Sequence, residues 1–135
     1  MALIVWNDSF SVGIKQIDDQ HRKLLGLVNS LFDAMKEGKG KDIMGDILTD
    51  LITYTVFHFS TEEIYFKKYR YPDSSKHKQE HRYLTEKATD LKEKFDKGEA
   101  IITVEVMQFL KDWLNNHILR TDRQYSPYLN GKVPG

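Results

Sequence analysis

At 135 residues the chain has the length of one ordinary domain, long enough to bury a core without disulfides. Twenty Lys and Arg balance twenty Asp and Glu, so no net charge favours nucleic acid or an anionic membrane as partner. The lack of cysteine removes thiolate zinc sites, cysteine-ligated iron–sulfur clusters, disulfide frameworks and c-type haem attachment. No apolar run approaches the ~18–20 residues that span a bilayer, and Met1 to Phe10 lacks the basic and apolar regions of a secretory signal. A cytoplasmic single domain covering residues 1–135 is expected.

Residues 1–16 carry Trp6, Phe10, Val12 and Ile14 in loose alternation, which reads as an extended arm packed on the helices. A first helix is expected over 18–37, capped by Asp18 or Asp19 and stopped by Gly38, with Leu24, Leu25, Val28, Leu31, Phe32 and Met35 at helical spacing. A second, over 42–69, carries a stripe through Ile43, Ile47, Leu51 and Tyr54 and ends at Pro72. The third, over 73–95, is striped by Leu84, Ala88, Leu91 and Phe95 and closed by Gly98. The fourth, over 104–120, comes after Thr103 as cap and carries Val106, Leu110, Trp113 and Leu114. Four amphipathic helices with short connections predict an all-α fold, an up-down-up-down antiparallel four-helix bundle with an N-terminal arm.

Each stripe, continued, runs through a histidine. His21 lies four after Ile17 and three before Leu24; His77, His81, Leu84, Ala88, Leu91 and Phe95 step by four and three; His117 comes four after Trp113. Tyr54, His58 and Glu62 step by four along helix two. All five histidines of the chain therefore fall on buried faces. One such histidine alone would be a core residue with a hydrogen-bond partner, but five across four helices call for a common partner. Unpartnered buried imidazoles cost about 1–3 kcal/mol each, and a buried carboxylate more. A metal satisfies them together. Glu63 points about 100° away from Glu62 and is the alternative ligand. His117 and Asp122 are five apart, about 140° round a regular helix, so both reach one site only if the helix ends or distorts between them.

Five imidazoles and two carboxylates exceed one tetrahedral zinc, and calcium or magnesium would want oxygen. The mixture suits iron or manganese, and two roughly octahedral ions would be filled but for about one position, provided both carboxylates bridge and a solvent-derived group joins them. The Glu-x-x-His pairs of ferritin-like di-iron bundles do not occur. An imidazole-rich set favours ferrous iron and reversible O2 chemistry over oxygen activation.

Trp6-Asn7-Asp8-Ser9-Phe10, Ile17-Asp18-Asp19-Gln20-His21, His58-Phe59-Ser60-Thr61-Glu62-Glu63, Tyr71-Pro72, His77-x3-His81 and Trp113-Leu114-x2-His117-Ile118-x3-Asp122 together closely resemble the haemerythrin family, in its single-domain bacterial form. The resemblance implies two non-haem iron ions: one held by His77, His81 and His117, the other, with an open position, by His21 and His58. Glu62 and Asp122 would bridge them beside an oxo or hydroxo group. It further implies reversible O2 binding in a dry pocket lined by Leu24, Phe59, Trp113, Leu114 and Ile118. Tyr125 occupies a family position near the centre, Phe66 stands where many relatives carry methionine, and Leu84 where an aromatic is frequent.

Three functions are compatible with such a centre. The first is an oxygen carrier, storage or delivery protein, not an enzyme, with O2 as its ligand and an oxygen-using enzyme as partner. The second is an O2- or redox-sensing module of a signalling protein. The third is reduction of peroxide or nitric oxide, for which no dedicated acid or base is evident near the open position.

Overall fold

The computed structural model describes residues 3–99 and 104–132. Four long helices form the bundle: α1 (Lys15–Lys36), α2 (Lys41–Tyr69), α3 (Ser74–Asp96) and α4 (Val104–Asn116). The last continues through a π-helical turn, His117–Asp122, into α5 (Arg123–Leu129). α1 packs on α2 and α4, and α2 also packs on α3. This is the all-α four-helix bundle that the periodicity predicts. Thr103, expected as the cap of the fourth helix, lies outside the described residues.

Helix ends differ from the sequence expectation for local reasons. α1 begins at Lys15, three residues before Asp18, because the Asp18 carboxylate is engaged by the arm. Its Oδ1 accepts from the Val12 amide at 2.8 Å and its Oδ2 from Ser11 Oγ at 2.6 Å. Further along, the arm is clamped by Asn29, whose side chain accepts from the Ile4 amide and donates to the Ile4 carbonyl. A short 3₁₀ turn, Asp8–Phe10, interrupts it, and Phe10, Val12 and Ile14 are buried. α2 stops at Arg70, which takes the left-handed conformation (φ 57°) before Pro72 is reached. Gly38 and Gly98, both at positive φ, stand just past the ends of α1 and α3 as expected.

On α2, Leu51, His58 and Glu62 face inward as expected, but around them Met44, Leu48 and Thr55 take the places expected of Ile43, Ile47 and Tyr54. Phe66 also faces inward, while Ile43 is half exposed and Tyr54 only partly covered. On α3, Leu84, Ala88 and Leu91 are only half-buried. An open groove of about 360 Å³, walled by Leu91, Val106 and Phe109, runs between α3 and α4 and leaves Leu91 partly uncovered.

The core has two apolar clusters. The larger holds Leu24, Leu25, Val28, Leu31, Leu48, Leu51, Phe95, Met107, Leu110, Leu114 and Ile118. The smaller, at the arm end, holds Val12, Ile14, Ile17, Phe66, Tyr71, Tyr125 and Leu129. In the chain each buried histidine sits between a member of one cluster and a member of the other, as His21 does between Ile17 and Leu24. The result is a polar layer with apolar packing above and below.

Candidate metal centre

That layer contains all seven residues singled out in the sequence, every one buried: His21 from α1, His58 and Glu62 from α2, His77 and His81 from α3, and His117 and Asp122 from the π turn. Within α2 and α3 the i,i+4 spacing stacks each pair on one face. For His117 and Asp122 the π turn does the same job. Its i→i+5 repeat brings a residue five further on back to the same side, which a regular α-helix cannot do.

Asp122 Oδ2 lies 2.9 Å from His21 Nε2, and its Oδ1 lies 3.0 Å from both His77 Nε2 and His117 Nε2. Glu62 Oε1 lies 3.1 Å from His81 Nε2, 3.3 Å from His58 Nε2 and 3.9 Å from His117 Nε2. At these separations a hydrogen bond is within reach, yet none forms: the five Nε2 atoms, Glu62 Oε1 and both Asp122 oxygens are buried without a hydrogen-bond partner. These eight atoms, beside which His21 Nδ1 is also unpartnered, would be costly if they faced only one another. Their lone pairs instead converge. The donor atoms fall into two groups, each within 4.8 Å: Glu62, His77, His81, His117 and Asp122 in one, His21, His58, Glu62 and Asp122 in the other. Both carboxylates belong to both groups. The donor set fits metal ions, and its imidazole–carboxylate chemistry fits iron.

The opposite ring nitrogens show how the imidazoles are aimed. His58 Nδ1 is 2.7 Å from Gln20 Oε1, an oxygen that can only accept, so Nδ1 carries the proton and Nε2 is left with its lone pair free. Gln20 is itself oriented by donating to Thr61 Oγ1 at 3.2 Å. His81 Nδ1 meets Glu63 Oε2 and His117 Nδ1 meets Glu80 Oε1, each at 2.9 Å, with Thr121 donating to Glu80 at 2.8 Å. Glu63, the alternative ligand expected from the sequence, thus stands behind His81 and outside both groups. Gln20 and Glu80 carried no sequence signal as partners, because they lie beside the stripes instead of on them. Tyr125, fully buried, donates its phenol to Glu62 Oε2.

Burial alone would raise both carboxylates; the surrounding imidazoles outweigh it and hold Glu62 and Asp122 far below the usual range. Burial lowers His58 to about 4, so its ring is neutral at neutral pH. Burial also opposes a charged His117, but the Asp122 carboxylate beside it dominates and raises it well above the ordinary value. Of the expected pocket residues, Leu24, Phe59, Leu114 and Ile118 are buried and Trp113 is half-buried. Phe59 stacks on His81 with ring centroids 3.8 Å apart.

A four-helix bundle with a buried layer of histidine and shared carboxylate donors defines a metal-binding protein of the haemerythrin type. The family model for the hemerythrin HHE cation binding domain matches residues 12–129, and the chain belongs to the haemerythrin family. It is 39% identical to a bacteriohemerythrin of Methylococcus capsulatus over 96% of this chain and 99% of that one. It is 36% identical to a hemerythrin-like protein of Naegleria gruberi, with 92% of each covered. Among solved structures, a wild-type hemerythrin superposes with a TM-score of 0.89 at 38% identity, over 93% of this chain and 97% of that one.

Proposed function

We propose that this chain is a non-enzymatic O2-binding protein whose seven buried donors hold two iron ions joined by an oxo or hydroxo bridge. His77, His81 and His117 would serve one ion, His21 and His58 the other, with Glu62 and Asp122 bridging. The observation that carries this reading is the pair of donor groups sharing those two carboxylates: three imidazoles fall on one side and two on the other, so one ion has fewer protein ligands. Bound iron would supply the two electrons that O2 needs and recover them on release. The protein's part is to position and to keep dry. Gln20, Glu63 and Glu80 fix three imidazoles by their Nδ1 hydrogens. Leu24, Phe59, Leu114 and Ile118, with Trp113, exclude water and protons that would drive off reduced oxygen.

The test is to load iron, reduce anaerobically, admit O2 and then remove it. About two irons per chain and a charge-transfer band that appears with O2 and vanishes without it are expected. One iron per chain, or a band that never reverses, overturns the reading.

A further inference from the structure

We propose that the tyrosines at the arm end of the bundle form a relay that carries oxidising equivalents from the metal layer to the surface at Tyr128. The proposal rests on the proposed function in one respect, that the layer holds iron. Five of the seven tyrosines, Tyr65, Tyr69, Tyr71, Tyr125 and Tyr128, gather in the smaller apolar cluster. Three of them make a path. Tyr125 donates its phenol to Glu62, its ring lies 6.3 Å from that of buried Tyr71, and Tyr71 lies 5.5 Å from Tyr128. The half-buried Tyr128 reaches the surface, its phenol donating to the Tyr69 carbonyl at 2.6 Å. Rings this close exchange electrons much faster than a radical damages its surroundings. The path itself holds no tryptophan or cysteine; Trp113, at the pocket, is the alternative electron donor beside the layer.

The oxidant is hydrogen peroxide, which a layer holding iron would reduce as a side reaction beside O2 binding. Its O–O bond breaks and two O–H bonds form, consuming two electrons and two solvent protons that enter with the peroxide to give two waters. Each electron leaves Tyr125, whose phenol proton passes along the existing hydrogen bond to Glu62 Oε2. An electron from Tyr128, by way of Tyr71, refills Tyr125, which takes its proton back; the Tyr128 phenol proton leaves to water. Each chain has one Tyr128, so its first radical is reduced before the second electron leaves. Per peroxide two solvent protons are taken up at the layer, two are released at Tyr128, and two phenoxyl radicals form in turn. At the surface each is quenched by a reductant such as ascorbate or couples with that of another chain to dityrosine. The histidines of the metal layer are thereby spared oxidation.

The experiment treats the iron-loaded full chain, its metal content first measured, with hydrogen peroxide, and then applies freeze-quench electron paramagnetic resonance and peptide mapping. A tyrosyl radical and modification at Tyr128 are expected, while Tyr83, 58% exposed and outside the cluster, stays intact. Tyr71→Phe keeps the ring but cannot be oxidised, so the radical should remain on Tyr125 and the Tyr128 product should be lost. Should Tyr71→Phe not fold, Tyr128→Phe at the surface end is expected to lengthen the life of the Tyr125 radical. Modification of Tyr54 or Tyr83 as readily as Tyr128, an unchanged Tyr128 product in Tyr71→Phe, or an unchanged radical decay in Tyr128→Phe overturns the relay. Absence of any radical in protein that binds two irons and O2 reversibly overturns the relay alone; failure to bind iron overturns both the relay and the proposed function.

Discussion

Glu62 and Glu63 are adjacent in sequence, and a rotation of about 100° separates their chemistry. Glu62 is fully buried against His58, His81 and His117, whereas Glu63 reaches the back of the His81 ring. Glu62→Ala is expected to lose at least one metal ion by elemental analysis; full retention would transfer the bridging role to Glu63. Glu63→Gln and Glu80→Gln keep a group that can still accept the Nδ1 hydrogen but remove its charge. Each is expected to retain both ions while weakening metal affinity by about 10–100-fold, measured by competition with a chelator. The Glu62 position was legible in the sequence because a buried face repeats every three or four residues. Gln20 and Glu80 were not, since nothing in a period marks the residue that will stand behind a ring on another helix.

At the scale of elements, the π turn decides whether Asp122 takes part. The five-residue gap from His117 requires a distortion, and the sequence shows that requirement but not which distortion meets it. The fourth helix, expected to end at 120, instead continues through the turn into α5 with Pro127 inside it, because the chain regains α geometry after the turn. Deleting the exposed Arg120 makes the spacing four, which a regular helix serves with about 40° between the side chains. That variant is expected to straighten the helix and keep metal binding. Inserting one alanine after Arg120 makes the spacing six, about 240° round the helix, and is expected to remove Asp122 from the layer and lose metal. Metal content of the two variants, with circular dichroism to confirm equal helicity, is the measurement; equal metal content in both would mean that the turn is not what aims Asp122. The departures from the expected α2 stripe have a related origin. Ile43 and Tyr54 are apolar enough to be read as core, yet Met44 and Thr55 occupy the inward face, and only packing against α1 and α3 distinguishes them.

Across the whole molecule, a polar layer between two apolar clusters ties stability to metal and to pH. Without metal, the layer's imidazoles and carboxylates must be satisfied by protons and by one another. Loaded protein is therefore expected to be more stable to unfolding than protein stripped with a chelator, by about 4 kcal/mol when free metal exceeds its dissociation constant 1,000-fold. The pH dependence has a definite sign. Glu62 and Asp122, lowered in the folded state, contribute stability that is complete above their unfolded values and lost only in strong acid. His58, lowered to about 4, adds stability as pH rises from there to about pH 7.5, above which it is neutral folded or unfolded and contributes no slope. His117 is raised, so its protonated form stabilises the stripped chain fully below the unfolded value, and that stabilisation fades as pH rises toward the folded one. Metal replaces that proton at Nε2, so loading releases it and strengthens as pH rises. From about pH 7 to 8.5 the stripped protein should lose stability while the loaded protein does not, and the gap between them should widen. Thermal unfolding with and without chelator at the two pH values measures it; a gap that stays constant would show that metal binding displaces no proton from His117.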